Sequence, residues 1–250
     1  MGKTAALILA AGQGTRFGRR TPKQFIKLSG KALWERSLLA FLPFSDVAVV
    51  VTDEAHEEMI REALQAFSGE GSSEVFVTLG GASRAESVLR GLRFLNDLPE
   101  QPETVLIHDA ARCLVTGEII SACLREAEAS GAAIAAVPMT DTVKAVRTGE
   151  DGACPVILDT PARSGLYKAQ TPQGFSFELI LGAYEAAENA GALASLTDDA
   201  SAVERFTDHE VRISKGSVEN LKITDPMDLA YAETILRIRL RKKEIAKRKR

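Results

Sequence analysis

Cysteine is scarce: Cys113, Cys123 and Cys154 are an odd number without Cys-x-x-Cys spacing, so neither a disulfide framework nor a zinc site is indicated. No apolar run has the length of a membrane span, and no internal repeat is seen. Residues 5–11 sit at the short limit for a signal-peptide core and lead into a basic glycine loop without a cleavage-site pattern. A cytoplasmic protein that does not enter the membrane is therefore expected. The full P-loop pattern, a glycine, four residues and then Gly-Lys-Ser or Gly-Lys-Thr, is absent, which removes Walker-type chemistry. The dinucleotide fingerprint Gly-x-Gly-x-x-Gly is absent too, since the loop runs Gly12-x-Gly14-x-x-x-Gly18 and continues into basic residues rather than a helix.

What is present suits one large α/β domain with an appendage. Of the 250 residues 45% are hydrophobic, ample for a core. The net charge of -3 hides an asymmetry. Residues 237–250 hold nine Lys or Arg against Glu244, a local +8, which leaves the rest at -11 by subtraction. Such a cluster can meet RNA or anionic lipid. The reading favoured over nucleic-acid contact is that a last helix runs out into solvent and frays, with Ile235, Ile238 and Ile245 at its end.

Strand and helix patterns alternate. Residues 31–44 have helical spacing, 47–52 are a β-branched run of the kind buried on both faces, and 54–67 return to helix. Strands follow at 74–78, 104–108 and 132–137, helices at 84–96 and 117–129. This order implies a doubly wound, mostly parallel Rossmann-like sheet with ligands at the strand C-terminal ends. Alternation stops near Pro138: residues 139–170 read as a protruding β-arm, too thin to be stable alone, which should pack on a second copy of the chain. Helices are expected at 176–189, 198–206 and from Pro226 onward, strands at 210–213 and 220–223. Residues 1–236 form the main domain with the arm inside it, and 237–250 the basic tail.

The chain is organised around the stretch from residue 5 to residue 24, where the apolar run breaks into Gly12-Gln13-Gly14-Thr15-Arg16 and, after Gly18, Thr21-Pro22-Lys23-Gln24. A buried strand emptying into a glycine loop brings backbone N–H groups against phosphate, and Arg16 and Lys23 add cations. Four later stretches fall at expected ligand loops. In Leu79-Gly80-Gly81-Ala82-Ser83-Arg84-Ala85-Glu86-Ser87 a helix N-terminus could meet a base or ribose, although Ser83 and Glu86 also make a capping box that needs no ligand. In His108-Asp109-Ala110-Ala111-Arg112 an acidic residue at the end of an apolar strand can orient a ribose or a hydrated metal ion. Asp141-Thr142-Val143-Lys144 and the run from Arg163 through Gln170-Thr171-Pro172-Gln173 carry cations and hydroxyls that suit a second phosphate, or merely keep a hairpin soluble. The fourth pairs Thr197-Asp198-Asp199-Ala200-Ser201 with Asn220-Leu221-Lys222-Ile223-Thr224.

Together, in this order over roughly residues 4–232, these stretches closely resemble the 2-C-methyl-D-erythritol 4-phosphate cytidylyltransferase family of the non-mevalonate isoprenoid pathway. Cys113 departs from it, standing where the family usually has proline, as does the basic tail. The resemblance implies that CTP and the polyol phosphate give a CDP-linked polyol and pyrophosphate. Magnesium would be held mainly by the CTP phosphates, with Asp109 as a candidate ligand. It gives Arg16 and Lys23 the transition state and leaving pyrophosphate, and Arg163 and Lys222 the attacking phosphate. Ala10, Ala11, Gly12, Gly14, Gly80, Gly81, Ser87, Asp109 and Ala110 would hold the nucleotide, and Arg112, Thr142, Thr171 and Thr197 the acceptor. It also implies a homodimer whose arms carry Thr142 and Arg163 into the partner's site. Two alternatives stay open. A ribitol 5-phosphate cytidylyltransferase would share the clamp, although Ala-Gly-Gly would be expected at Ala10-Ala11-Gly12. An NAD(P)-dependent oxidoreductase would use Gly12, Gly14 and Asp53 but leaves Lys23, Arg163 and Lys222 without a task.

Overall fold

The computed structural model describes residues 2–12, 22–65, 73–148 and 154–248. At its centre β1 (Thr4–Leu9), β4 (Val47–Thr52) and β6 (Thr104–Asp109) are buried at every position. Helices therefore cover both faces, and the pleat sorts each strand's side chains between them. Ala5, Leu7 and Leu9 pack with α3 (Arg84–Asn96), α5 (Phe177–Asn189) and α6 (Ala200–Phe206). Ala6 and Ile8 pack with α1 (Leu33–Phe41), α2 (Glu57–Gln65) and α4 (Gly117–Ser130). Between β1 and β4 lies a small hairpin of β2 (Lys27–Leu28) and β3 (Lys31–Ala32).

With β5 (Glu74–Leu79), β7 (Ala132–Pro138), β10 (Tyr167–Ser176) and β11 (Arg212–Lys215), the main sheet has the order β11-β7-β10-β6-β1-β4-β5. Its strands are parallel except β10, which runs against both β6 and β7. From β1 the chain builds outward to β4 and β5 on one side and places β6 on the other. The crevice at this reversal, where Leu9 faces Asp109, is where such sheets bind ligands. Gly2-Lys3-Thr4, the chain's one Gly-Lys-Thr, enters β1 from the opposite end.

Two expectations need correction. Tyr167 to Ala169 belong to the main sheet, paired with Pro138 to Ala136, because β7 leads out to the arm and β10 leads back beside it. The ribbon that protrudes is β8 (Ala145–Arg147) with β9 (Val156–Asp159), exposed throughout. Residues 220–223 form no strand: Leu221 and Ile223 alternate because they pack in a third cluster beside Leu229 and Ala232 of α7 (Pro226–Arg248). The last helix, α7, extends to Arg248, so the basic run from residue 237 is helical as far as the described residues go. Among the described residues no helix is long and apolar enough to cross a membrane.

Candidate active site

Gly12 follows β1 with φ +127°, and among the described residues, its chain neighbours aside, no atom lies within 4 Å of where a Cβ would stand. Glycine is needed there for its backbone angle rather than for space. The loop is pinned by Gln24, whose side chain donates to the Gly12 carbonyl at 2.8 Å from the 3-10 turn Lys23–Phe25. Ala11, Gly12, Lys23 and Gln24 line one side of a cleft of about 240 Å³. Arg16 and Gly14 lie outside the described residues.

From the turn into α3 only Arg84 lines this cleft, and Gly80, Gly81 and Ser87 line neither it nor the second cleft described below. The N–H groups of Gly81, Ala82 and Glu86 are taken by Ser87 Oγ (3.1 Å), the Glu86 carboxylate (2.9 Å) and Ser83 Oγ (3.1 Å). The capping reading therefore accounts for these donors, and Ser87 is a pin that also donates to the Ser83 carbonyl. A Cβ on Gly80 would stand 2.9 Å from the Ala11 Cβ and 2.7 Å from Ser87 Oγ, so the segment after β1 and the turn into α3 touch at this glycine. A Cβ on Gly81 would meet the Glu86 Cβ at 2.4 Å. Neither glycine has a positive φ, so close packing constrains them.

At the end of β6, His108 and Asp109 leave the core in opposite states. The Asp109 N–H donates to Thr171 Oγ1 at 3.1 Å, which leaves the threonine's own proton for His108 Nδ1, 3.0 Å away. His108 Nε2, 3.3 Å from the Arg112 carbonyl, then carries the ring's single proton. Burial pushes the pKa of this imidazole down to about 3 from an ordinary value of 6.5. Between those two values the unfolded chain binds a proton that the folded chain refuses, so stability is full above pH 6.5 and is lost as pH falls. Urea unfolding should show a loss of about 2 kcal/mol between pH 7.5 and pH 5. His108→Asn should flatten that slope, and an unchanged slope would exclude a buried neutral ring.

Burial opposes the charge of Asp109, but Arg84, Lys222 and Arg112 hold the carboxyl well below the usual range. Lys222 Nζ lies 2.7 Å from Oδ2, and Arg84 Nε donates to Oδ1 at 3.2 Å. The guanidinium of Arg84 also forks onto Asp199 at 2.9 and 2.8 Å. Asp199 is fully buried and accepts from Tyr184 Oη at 2.6 Å, while its N–H donates to Gln173 Oε1 at 2.9 Å. Burial opposes the charge of Arg84 as well, yet Asp199 and Asp109 keep its pKa well above the arginine norm.

A second cleft of about 270 Å³ lies beyond this wall, lined by Arg112, Thr171, Gln173, Thr197 and Asp198 and sharing Arg84, Asp109 and Lys222 with the first. Arg112 is tied to the carbonyls of Asn220 at 2.9 Å and Ala169 at 3.4 Å. Lys23, Arg84, Arg112 and Lys222 thus gather at two adjoining clefts that share the Asp109 carboxylate, an arrangement for two anionic ligands side by side. Arg84 and Asp199 were given no role from sequence, although both stand inside the quoted stretches.

Other expected residues stand elsewhere. Ala10 and Ala110 are buried in the core; the N–H of Ala10 bonds to Val51, that of Ala110 to Leu9, and the Ala110 carbonyl to Ser37. Thr142 is exposed on the arm, and Arg163, also exposed, donates to the Thr140 carbonyl at 2.8 Å. Neither lines either of these two clefts.

Residues 4–238 match the IspD family model, described as 2-C-methyl-D-erythritol 4-phosphate cytidylyltransferase. A Thermobifida fusca (strain YX) protein of that name is 40% identical over 238 residues, 94% of each chain. A "Bifunctional enzyme IspD/IspF" from Bradyrhizobium sp. (strain BTAi1) is also 40% identical over 95% of this chain, which spans only 58% of that relative's length. Among solved structures, 2-C-methyl-D-erythritol 4-phosphate cytidylyltransferase from Thermus thermophilus superposes with a TM-score of 0.73 and 31% identity, over 94% of this chain and 99% of that one.

Proposed function

We propose that this chain, which belongs to the 2-C-methyl-D-erythritol 4-phosphate cytidylyltransferase family, transfers CMP from CTP to 2-C-methyl-D-erythritol 4-phosphate and releases pyrophosphate, a step in making isoprenoid precursors. The observation that carries the reading is the pair of clefts divided by Arg84, Asp109 and Lys222. CTP would lie against Ala11, Gly12, Lys23 and Gly80, with Arg16 and Gly14 beside the triphosphate by family likeness. The acceptor would lie against Arg112, Thr171, Thr197 and Lys222.

A phosphate monoester has its second pKa near 6, so at neutral pH it is largely a dianion and attacks the α-phosphorus without a general base. His108 is unsuited to be one, neutral and with both ring nitrogens engaged. The barrier is like-charge repulsion in a five-coordinate transition state, which fixed cations lower. Lys222 would hold the incoming phosphate and Lys23 the departing pyrophosphate.

The donor set fits a magnesium ion carried chiefly on phosphate oxygens, because Asp109 is the single carboxylate in the dividing wall and already meets two cations. Magnesium, when bound, neutralises part of the triphosphate charge. A homodimer is supported by the arm, where Val146, Val156, Ile157 and Leu158 are exposed on a ribbon too small to stand alone. Arg163 and Thr142 would then complete the partner's second cleft. The transferase unit would span residues 1–236 and work in the cytoplasm, with 237–250 a basic helix end.

Pyrophosphate release from CTP, measured with methylerythritol phosphate and separately with ribitol 5-phosphate, tests the reading. Turnover is expected with the first acceptor. Turnover with ribitol 5-phosphate alone would overturn the substrate assignment, and turnover with neither would overturn the reaction.

A further inference from the structure

Lys23 rides on a 3-10 turn of three residues, held by backbone bonds from Phe25 N–H to the Pro22 carbonyl and from Ile26 N–H to the Lys23 carbonyl, both 3.0 Å. A turn this short does not fix the direction of a long flexible side chain by itself. Its two other residues are anchored in different directions. Gln24 reaches the glycine loop at Gly12. Phe25 lies on the imidazole of His56, ring centroids 4.1 Å apart and planes 17° from parallel. His56 is held in turn by Asp53, whose carboxylate meets Nδ1 at 2.5 Å. Asp53 directly follows β4, a fully buried strand paired with β1.

We propose that His56 is a positioning residue for Lys23: its ring, oriented by Asp53, is the platform that fixes the Lys23–Phe25 turn against the C-terminal edge of the sheet. His56 lines neither cleft and belongs to none of the stretches that mark the site in the sequence. The platform also gives Asp53 a task other than the ribose contact that a dinucleotide enzyme would require. Gln24 and Phe25, which follow Lys23 in the turn, tie it in two directions, one to Gly12 just beyond β1 and the other, through His56 and Asp53, to the end of β4. Removing the platform frees the turn on one side, and a displacement of about 1 Å at a catalytic cation is enough to lower turnover by as much as a hundredfold.

The inference rests on the cytidylyl-transfer reading, so its test includes a readout that does not. His56→Ala should lower kcat about ten- to a hundredfold while the Kd for CTP, measured by calorimetry without acceptor, stays within about twofold. His56→Phe, which keeps the ring and loses the Asp53 bond, should recover most of the lost rate. In a Lys23→Ala background His56→Ala should cause no further loss, because a residue that acts through another is not additive with it. Independently of turnover, the rate at which an amine-reactive reagent modifies Lys23, followed by peptide mass spectrometry, should change in His56→Ala and return in His56→Phe, with Lys27 and Lys31 as controls. Full additivity with Lys23→Ala, or wild-type kcat and Lys23 reactivity in His56→Ala, would overturn the positioning role. If the wild-type protein releases no pyrophosphate, the functional reading fails, and an unchanged Lys23 reactivity would remove this inference as well.

Discussion

Replacing Lys23 by alanine is expected to lower kcat about a hundred- to a thousandfold while CTP still binds. The lysine lines the first cleft together with Arg84 and Asp109, and its turn is anchored through Gln24 and Phe25. In the proposed reaction a fixed ammonium there would gain most as the bond to pyrophosphate breaks and charge builds on the departing oxygens. Its contribution is then larger in the transition state than in the ground state, and such differential binding appears in kcat. Gly12, Gly80 and Ala11, proposed to hold the nucleotide, are unaltered in the variant, so nucleotide affinity should fall far less than turnover. Steady-state pyrophosphate release combined with CTP calorimetry separates the two. A raised KM with unchanged kcat would mean that Lys23 only attracts the triphosphate, and that the transition-state role lies elsewhere.

Mixing two nearly inactive variants is expected to restore about a quarter of wild-type activity, given random pairing in a two-fold dimer. Lys23 lines a cleft, whereas Arg163 stands exposed on the arm, its guanidinium donating to the Thr140 carbonyl. Prepared separately, Lys23→Ala and Arg163→Ala should each be crippled in every site. After unfolding, mixing and refolding, half of the dimers should be mixed. If Arg163 works in the partner's cleft, each mixed dimer holds one site with an intact Lys23 and an intact incoming arm. The other site carries both lesions. The gain over either parent should reach on the order of a hundredfold. If Arg163 serves its own chain, every site in the mixed dimer keeps one lesion and nothing returns. With mixed dimers verified by mass, continued inactivity would sink the shared site without touching the transferase reading.

The layers of this protein are legible in its sequence where burial alone decides the pattern. Val47–Thr52 is an unbroken β-branched run because both faces of β4 are covered, and Arg84–Asn96 is a helix bounded by a serine cap that the spacing already announces. The pattern misleads where two environments impose one period. Leu221 and Ile223 alternate as a strand would, yet they are buried by α7 and no neighbouring strand pairs with them. The run from Tyr167 reads as arm because nothing local says that β7, some thirty residues earlier, lies alongside it. Within the site, loops carrying their own glycines and cations are legible, whereas the fork of Arg84 onto Asp199 joins residues 115 positions apart. No local signal encodes such a pairing. Gly80 and Gly81 are glycines for a reason visible only in three dimensions, since their angles are ordinary and their neighbours are close.

The wall common to the two clefts also bears on what a binding constant for this protein means. Oδ2 of Asp109 is satisfied by Lys222, which faces both compartments. A ligand that draws the ammonium toward itself leaves the carboxylate less compensated on the side of its neighbour, so the two occupancies share a coupling free energy. That quantity is equal in both directions by thermodynamic necessity. An affinity determined for either substrate alone therefore describes the binary complex, with the empty compartment's charge balance built into it, and differs from the affinity in the ternary complex by that same shared factor.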